Sequence, residues 1–167
     1  MVIKCDKMKQ EKNLVNDTNL LREVECAICA WIQELKKGSP LLIKELETGY
    51  AALSKYQYYE GYTIFISKEH ANELHMLSSH KTRDKFLHEM ATVAEAVYKA
   101  VNPVKLNYEL LGNTESHMHW HIFPRFVNDP NPKVPVWLVD PSIRQSKDTY
   151  PSNEKAEDLK NRILKYL

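Results

Sequence analysis

The chain has 167 residues, a formal net charge of +1 and three cysteines. This length suits a single domain with a substantial core, and the balanced charge gives no argument for a nucleic-acid or membrane surface. No stretch approaches the roughly 20 apolar residues of a membrane span, and residues 1–13 lack the apolar core of a signal peptide. Because three cysteines are too few for a disulfide scaffold, we expect a cytoplasmic protein.

Three parts are expected along the chain. Residues 1–16 alternate charged and polar side chains without an apolar period, which predicts a mobile N-terminal arm. Residues 17–128 carry the periodic apolar patterns of helices and strands and form the main domain. Residues 129–167 begin with a proline-rich stretch, which predicts an extension that packs on the same domain and is anchored by Trp137.

The apolar spacing predicts three helices and a set of strands. The first helix is capped by Asp17 or Thr18, runs to about Lys37 and contains Cys26 and Cys29. The remaining elements are a hairpin over 41–47 and 50–54, a strand over 62–67, a long helix over 81–101, strands over 105–111 and 117–126, and a terminal helix over 154–166. This order predicts an α+β fold, an antiparallel sheet meander with helices packed against it.

The stretch from Glu115 to Arg125 is the most informative part of the sequence. Its histidines, His117, His119 and His121, alternate with apolar residues, so on a strand all three imidazoles point to one face. On a helix the same spacing spreads them over roughly 200° of arc, too far apart to converge on one ligand. Such a strand suits a metal ion or an anionic substrate attacked by an imidazole. Chance histidines on an exposed edge strand and a zinc hydrolase are the two alternatives that stay open here.

Residues 117–123 resemble the signature of histidine triad (HIT) proteins, in which three histidines alternate with apolar residues. The following Pro124-Arg125 is similar to the hydrolase branches of that family. Upstream, residues 112–114 resemble the family's Gly-Gln-Ser/Thr turn, and residues 64–70 resemble its strand ending in Pro-Lys-x-His. The resemblance covers roughly residues 26–126 and implies a HIT-like α+β fold that pairs into homodimers through the long helix and the sheet edge.

The resemblance also implies a reaction and the residues that carry it. In HIT enzymes the middle histidine attacks the α-phosphate of a nucleotide and forms a nucleotidyl-histidine, which makes His119 the expected nucleophile. His117 would orient its ring, and His121 would reach the phosphate or the leaving oxygen. The expected substrate-binding residues are Gly112, Asn113 and Thr114 for the phosphate, Asn107 for phosphate or ribose, Ser54 for ribose, Arg125 for a distal phosphate, and Tyr56, Tyr58 and Tyr59 for the base.

A structural zinc ion is predicted at Cys26, Cys29, His70 and His117. In the related galactose-1-phosphate uridylyltransferases, a zinc ion joins a Cys-x-x-Cys pair to two histidines, and the resemblance carries these ligands to the four positions named. Two thiolates and two imidazoles form a closed tetrahedral shell of the structural kind. No catalytic cofactor is expected.

The predicted function is therefore hydrolysis or transfer at the α-phosphate of a nucleotide, with dinucleoside polyphosphates as the first substrates to test. One alternative uses the same nucleophile against a nitrogen leaving group, as in nucleoside phosphoramidates. Another is a nucleotide-binding module without significant catalysis. The expected partners are a nucleotide and a second copy of the chain, without nucleic acid or membrane.

Overall fold

The computed structural model describes residues 26–167. Its strands are β1 (Leu42–Glu45), β2 (Gly49–Leu53), β3 (Thr63–Ser67), β4 (Lys105–Glu109) and β5 (His119–Arg125). They form one antiparallel sheet in the order β1-β2-β3-β5-β4. Strand β5, which carries two of the histidines, is therefore paired on both sides and held in a fixed register.

The helices of this part of the chain are α1 (Ala27–Lys36), α2 (His80–Val101), α3 (Pro141–Arg144) and α4 (Asn153–Leu164). Local chemistry sets the ends of α2: Ser79 Oγ accepts a hydrogen bond from Thr82 N at 3.0 Å, and Asn102 ends the helix with a φ of 48°. Ser152 caps α4 in the same way as Ser79 caps α2. None of the helices within residues 26–167 has the length and hydropathy needed to cross a membrane.

Helices α2 and α4 cover one face of the sheet. The strand residues of that face that are completely buried are Ala51, Leu53, Phe65 and Ile122, and the matching helix residues are Phe86, Val93, Val97, Leu159 and Ile163. Burial of one large apolar side chain stabilises a protein by about 1.5–3 kcal/mol. This layer is the main core, and it makes the sheet a rigid platform for the opposite face.

Helix α1 packs on the opposite face of the sheet. Its buried residues, Ile28, Ile32 and Leu35, recur at helical spacing and contact Tyr50, Ala52 and Ile66 of the strands. The histidines of β5 share this face, because His119 pairs with Ile66 and His121 pairs with Ile64 in the β3–β5 ladder. The face that carries the predicted chemistry is thus bordered by α1.

The predicted α+β fold is confirmed, and the hairpin, the long helix and the terminal helix lie where the periodicity placed them. A continuous first helix from Asp17 or Thr18 to Lys37 is wrong, since Cys26 has an extended backbone and caps a helix that begins at Ala27. The two predicted caps, like the predicted arm over 1–16, lie outside the described residues. The last strand begins at His119 rather than at position 117.

The proline-rich extension lies against the same body as the sheet. Val136 is almost completely buried beside Tyr59, Tyr62 and Phe123, and Trp137 packs on the edge of this cluster. The extension is therefore anchored by Val136 as well as by the predicted Trp137. The boundaries proposed for arm, domain and extension stay predictions.

Candidate functional site

Strand β5 delivers His119 and His121 into a cavity of about 400 Å³. This volume lies within the range of about 300–1,000 Å³ that is usual for ligand pockets. Around the histidines, α1 supplies Ile28 and Trp31, the loop after β2 supplies Ser54, Lys55 and four tyrosines, and the C-terminal extension supplies Trp137, Arg144 and Gln145. The lining therefore combines apolar side chains of α1 with two cations, Lys55 of the loop and Arg144 of the extension.

A chain of hydrogen bonds fixes the two histidines. His119 Nδ1 lies 2.6 Å from the carbonyl oxygen of His117, His121 Nε2 lies 3.1 Å from His119 Nε2, and the Tyr62 hydroxyl lies 2.6 Å from His121 Nδ1. With both rings neutral, one proton assignment satisfies all three contacts. Tyr62 donates to His121 Nδ1, His121 Nε2–H donates to His119 Nε2, and His119 Nδ1–H donates to the carbonyl. His119 Nε2 then keeps its lone pair.

Burial and nearby groups keep Tyr62 and His121 neutral. Burial, followed by electrostatic interactions with His119 and Arg144, lowers the pKa of His121 to about 3. Burial also raises the pKa of the Tyr62 hydroxyl, an effect partly offset by Arg144 and by a hydrogen bond from Ser54. At neutral pH, Tyr62 is therefore a donor and His121 can accept through one nitrogen and donate through the other.

The ring of His117 points away from the cavity, toward Cys26, Cys29 and His70. His117 is 1% exposed, and its Nε2 donates to the Ser67 carbonyl oxygen at 2.9 Å, which leaves Nδ1 for the cysteines. That Nδ1 lies 3.6 Å from Cys26 Sγ and 3.3 Å from Cys29 Sγ, and Cys29 Sγ lies 3.3 Å from His70 Nδ1. Bond lengths to zinc imply sulfur–nitrogen separations of roughly 3.5 Å around a tetrahedral ion.

All four potential ligand atoms of this cluster lie within 4.8 Å of one another, so Cys26, Cys29, His70 and His117 can hold a metal ion. The donor set and its spacing fit zinc, and the Ser67 carbonyl supplies the outer hydrogen bond that orients a ligating imidazole. A bound ion would cross-link the start of α1 to the residues that precede β5. The shell contains no position for substrate.

The loop before β5 leaves two of its predicted phosphate donors exposed. Gly112 has a φ of 67°, a conformation that glycine adopts without strain, and it turns the chain toward Asn113 and Thr114. Asn113 and Thr114 are solvent-exposed, while Glu115 of the same loop lines the cavity. The turn therefore has accessible donors near the histidines.

Arg125 and Asn107 lie apart from the histidines, and the substrate-binding roles expected for them stay predictions. Arg125 is 4% exposed, and its Nε donates to Asp129 Oδ2 at 2.7 Å. Its Nη1 donates to Asn107 Oδ1 and to the Val134 carbonyl oxygen, and its Nη2 donates to the Asn131 carbonyl oxygen. The β4–β5 register explains the displacement, because Asn107 pairs with Phe123, beyond His121. This guanidinium ties the extension to the sheet.

The other predicted substrate residues line the cavity. Ser54 is 3% exposed and sits between Tyr62 and the backbone N–H of Tyr56, from which its Oγ accepts a hydrogen bond at 3.1 Å. Tyr56, Tyr58 and Tyr59 lie along the same wall. Ser54 therefore has two hydrogen-bonding neighbours before any ligand enters.

The C-terminal extension closes the cavity beyond His121. The Trp137 ring lies 5.2 Å from the His121 ring and 5.6 Å from the Phe123 ring, edge to face in both cases. Trp137 Nε1 donates a hydrogen bond to Glu109 on β4. Burial raises the pKa of Glu109, opposed by the charges of Arg125 and Arg144. This wall is thus fixed to the edge strand.

Sequence reasoning missed Tyr62 and Arg144. Tyr62 carried a usable signal, because it precedes β3 by one residue, and the two-residue alternation from Ile64 places it on the histidine face. Arg144 carried no such sequence signal, because its place beside the cavity depends on the path of the extension, which has no periodic sequence pattern.

A family model of the HIT domain matches residues 39–128. No curated protein matches the chain at a significant level. Among solved structures, a histidine triad protein from Sinorhizobium meliloti 1021 has a TM-score of 0.65 at 22% identity, over 81% of this chain and 94% of that one. A hypothetical histidine triad nucleotide-binding protein from Sulfolobus tokodaii strain 7 has a TM-score of 0.57 at 23% identity, over 75% and 82%.

A zinc-bound histidine triad family protein from Mycobacterium smegmatis has a TM-score of 0.57 at 20% identity, over 86% of this chain and 96% of that one. Identities in this range show that the fold is shared. The family model adds the sequence pattern, since it spans more than half of the 167 residues and includes all three histidines of the β5 region. The chain therefore belongs to the HIT family.

Proposed function

We propose that the protein is a nucleotide hydrolase or transferase that acts at the α-phosphate through a nucleotidyl-histidine intermediate on His119. The observation that carries the proposal is the 2.6 Å contact between His119 Nδ1 and the His117 carbonyl oxygen. This contact holds the proton on Nδ1, so the lone pair of Nε2 is available at the cavity. A neutral imidazole with a fixed tautomer is a competent nucleophile near pH 7.

The reaction has two steps. In the first, His119 Nε2 forms a bond to the α-phosphorus, and the bond from phosphorus to the leaving group breaks with its electron pair. The leaving oxygen departs as an anion and takes over the hydrogen bond of His121 Nε2–H, which rests 3.1 Å from His119 Nε2 before substrate enters. In the second step, water attacks phosphorus, the phosphorus–nitrogen bond breaks, and its electron pair returns to Nε2. One proton of that water is released to solvent, and His121 Nε2–H returns its hydrogen bond to His119 Nε2.

Dinucleoside polyphosphates are the proposed substrates. The cavity supports this choice with Ser54 for the ribose and with Tyr56, Tyr58 and Tyr59 as surfaces on which a base can stack. Gly112, Asn113 and Thr114 are proposed to donate hydrogen bonds to the phosphate oxygens once substrate draws the exposed loop toward the histidines. Donors of this kind lower the barrier because charge accumulates on those oxygens.

We further propose that the cluster of Cys26, Cys29, His70 and His117 holds a structural zinc ion. Its support is the donor spacing, together with the zinc-bound M. smegmatis protein of the same fold. A zinc ion there would stabilise the fold and secure the backbone of His117, whose carbonyl oxygen holds His119. No cofactor is proposed for the chemical step, and the cytoplasmic location stays a prediction.

A homodimer is also proposed. Four large apolar side chains, Tyr98 on α2, Tyr108 on β4, and Val104 and Leu111 at the two ends of β4, are between 46% and 60% exposed. Within residues 26–167 strand β4 is an edge of the sheet, and an edge strand offers one row of backbone groups for pairing. Sedimentation at micromolar concentration, compared with a Tyr108→Glu variant, tests this assembly.

The test of the reaction compares wild type with His119→Ala on diadenosine polyphosphates and on adenosine 5′-phosphoramidates. We expect His119→Ala to lose several orders of magnitude in kcat, and we expect an α-labelled substrate to leave an acid-labile label on wild type alone. His75→Ala, which removes an exposed histidine outside the cavity, is the matched control.

Near-normal turnover by His119→Ala would show that the mechanism is wrong. Nucleotide binding without turnover of either substrate class would indicate a binding module. Turnover that chelators abolish, with no nucleotide trapped on the protein, would favour the zinc-hydrolase alternative.

A further inference from the structure

The two arginines near the extension have opposite surroundings. Arg125 donates from all three of its guanidinium nitrogens to protein oxygens. Arg144 donates from Nε to the Val139 carbonyl oxygen at 3.2 Å, and its guanidinium carbon lies 4.6 Å from the centroid of the Trp137 ring. Within residues 26–167 no protein group binds the Nη1 and Nη2 atoms of Arg144. The Val139 carbonyl and the Trp137 ring therefore hold Arg144 in place, and its Nη1 and Nη2 atoms can donate hydrogen bonds to a ligand.

Arg144 and helix α1 lie on opposite sides of the proposed nucleophile, His119. Ile28 of α1 packs with Ile66, which is the register partner of His119. Trp137 packs on His121 and Phe123, which follow His119 along the same face of β5. Arg144 lies on Trp137 and lines the cavity. A phosphorus atom at His119 would therefore have an apolar wall on one side and a cationic wall on the other.

We propose that Arg144, held in place by Trp137, binds the leaving group and selects substrates whose leaving group is negatively charged, such as a chain of further phosphates. This inference rests on the proposed function, since it assigns the recognition of the group that His119 expels. An uncharged base suits the wall of Ile28 and Trp31, which directs the charged end of the substrate toward Arg144. A planar guanidinium stacked on an aromatic ring presents its remaining donors to phosphate oxygens in a fixed geometry.

The charge of Arg144 already acts on the reacting groups. Together with burial and His119, it lowers the pKa of His121, and it opposes the effect of burial on Tyr62 and Glu109. A negative charge between Arg144 and His121 would therefore be attracted by the arginine as it develops on the leaving group. A neutral amine leaving group gains nothing from this cation.

The test measures Arg144→Gln on two substrates that share the adenosine 5′-phosphoryl group. Diadenosine triphosphate expels an anionic nucleotide, and an adenosine 5′-phosphoramidate expels a neutral amine. We expect Arg144→Gln to reduce kcat/KM about 10- to 100-fold for the first substrate and less than about threefold for the second, since one charge-assisted contact is lost. Lys147→Gln removes an exposed cation from the same extension outside the cavity and should change neither value.

Calorimetric binding of AMP and ADP to the same proteins gives a readout that does not need turnover. Wild type should bind ADP more tightly than AMP, Arg144→Gln should lose that preference by about tenfold, and Arg144→Lys should restore part of it. Equal losses on both substrates with an unchanged ADP preference would show that Arg144 only supports Trp137, and would overturn the proposal. If His119→Ala keeps full activity, the proposed reaction fails, while the AMP and ADP comparison still decides the role of Arg144.

Discussion

The hydroxyl of Tyr62 lies 2.6 Å from Nδ1 of His121, and its ring stacks on Phe123 with centroids 4.0 Å apart. The tyrosine therefore holds His121 from the side opposite to His119. The stack on Phe123 fixes the ring that carries the hydroxyl, and burial keeps that hydroxyl protonated by raising its pKa. The functional unit thus extends from β5 across to the start of β3.

Replacing Tyr62 with phenylalanine should lower kcat about tenfold while KM changes little. The ring and its stacking remain, but His121 loses the donor that selects its tautomer, and one hydrogen bond of this kind corresponds to about 1 kcal/mol. Steady-state kinetics on diadenosine triphosphate checks the rate, and nitrogen-15 NMR of the histidines checks the tautomer. Tyr58→Phe, on the same wall, is the control. An unchanged kcat together with an unchanged His121 spectrum would contradict the prediction.

Replacing Arg125 with glutamine should destabilise the fold by about 3 kcal/mol or more without a matching loss of activity per folded molecule. The side chains of Arg125 and Asp129 are 5% and 9% exposed, so removal of the arginine leaves an aspartate buried without its cation. Urea unfolding measures the loss of stability, and active-site titration gives the activity per folded molecule. Lys99→Gln, which breaks an exposed pair with Glu95 on α2, should cost less than about 1 kcal/mol.

The opposite result for Arg125→Gln would be a lower kcat/KM for polyphosphate substrates with an unchanged free energy of unfolding. That result would return Arg125 to a substrate-binding role. The sequence alone did not separate these outcomes. Arg125 follows an active-site strand, and only the path of residues 129–134 shows what surrounds it.

The sequence was sufficient for the sheet and the long helices because their patterns are local. Alternation along β5 depends only on the pleat of a strand, and the apolar stripe of α2 depends only on helical geometry. The pairing of Cys26 and Cys29 with His70 and His117 came from family resemblance, since no local rule connects residues about 40 to 90 positions apart.

What sequence reasoning could not supply was the cavity wall built from the extension. Residues 129–150 have no sustained period, and their path depends on the Arg125 hydrogen bonds, the burial of Val136 and the bond from Trp137 to Glu109. The first helix failed for a different reason. Apolar residues continued at helical spacing upstream of Cys26, and nothing in that spacing indicated an extended residue at the cap.

The stability of the protein should depend on pH through His121. Its pKa is lowered to about 3 in the folded state, whereas an unfolded histidine titrates near about 6.5. As pH falls below about 6.5, the unfolded chain takes up a proton that the folded chain does not. Stability is therefore retained above that pH and lost on acidification, with a contribution of at most about 1.4 kcal/mol per pH unit.

Urea unfolding of wild type and His121→Asn between about pH 7 and pH 4 isolates this contribution. As pH falls, the free energy of unfolding of wild type should decrease more steeply than that of His121→Asn, because asparagine does not titrate. His88→Asn, which removes an exposed histidine from α2, is the comparison variant. Parallel curves for wild type and His121→Asn would mean that His121 titrates alike in the folded and unfolded states.

Removal of the metal proposed at the cluster of Cys26, Cys29, His70 and His117 should destabilise the protein. Zinc would bind the folded chain through four ligands from three separate segments, so a free concentration about 1,000 times its Kd would add about 4 kcal/mol. Protein purified without a metal-affinity tag should contain about one equivalent of zinc by elemental analysis. Treatment with a strong chelator should lower its Tm.

Cys29→Ser should lose the zinc and the response to chelator together, because Cys29 Sγ lies 3.3 Å from both His70 Nδ1 and His117 Nδ1. Cys5→Ser changes a cysteine that is not among the four proposed ligands and should retain the metal. His117 links this site to catalysis, since its ring joins the cluster while its carbonyl oxygen holds His119. The proposal would be contradicted by less than about a tenth of an equivalent of zinc and a Tm that chelator does not change. In that case the cysteines are packing residues. The hydrogen bond from His117 Nε2 to the Ser67 carbonyl oxygen then orients His117, and through it His119, without a metal.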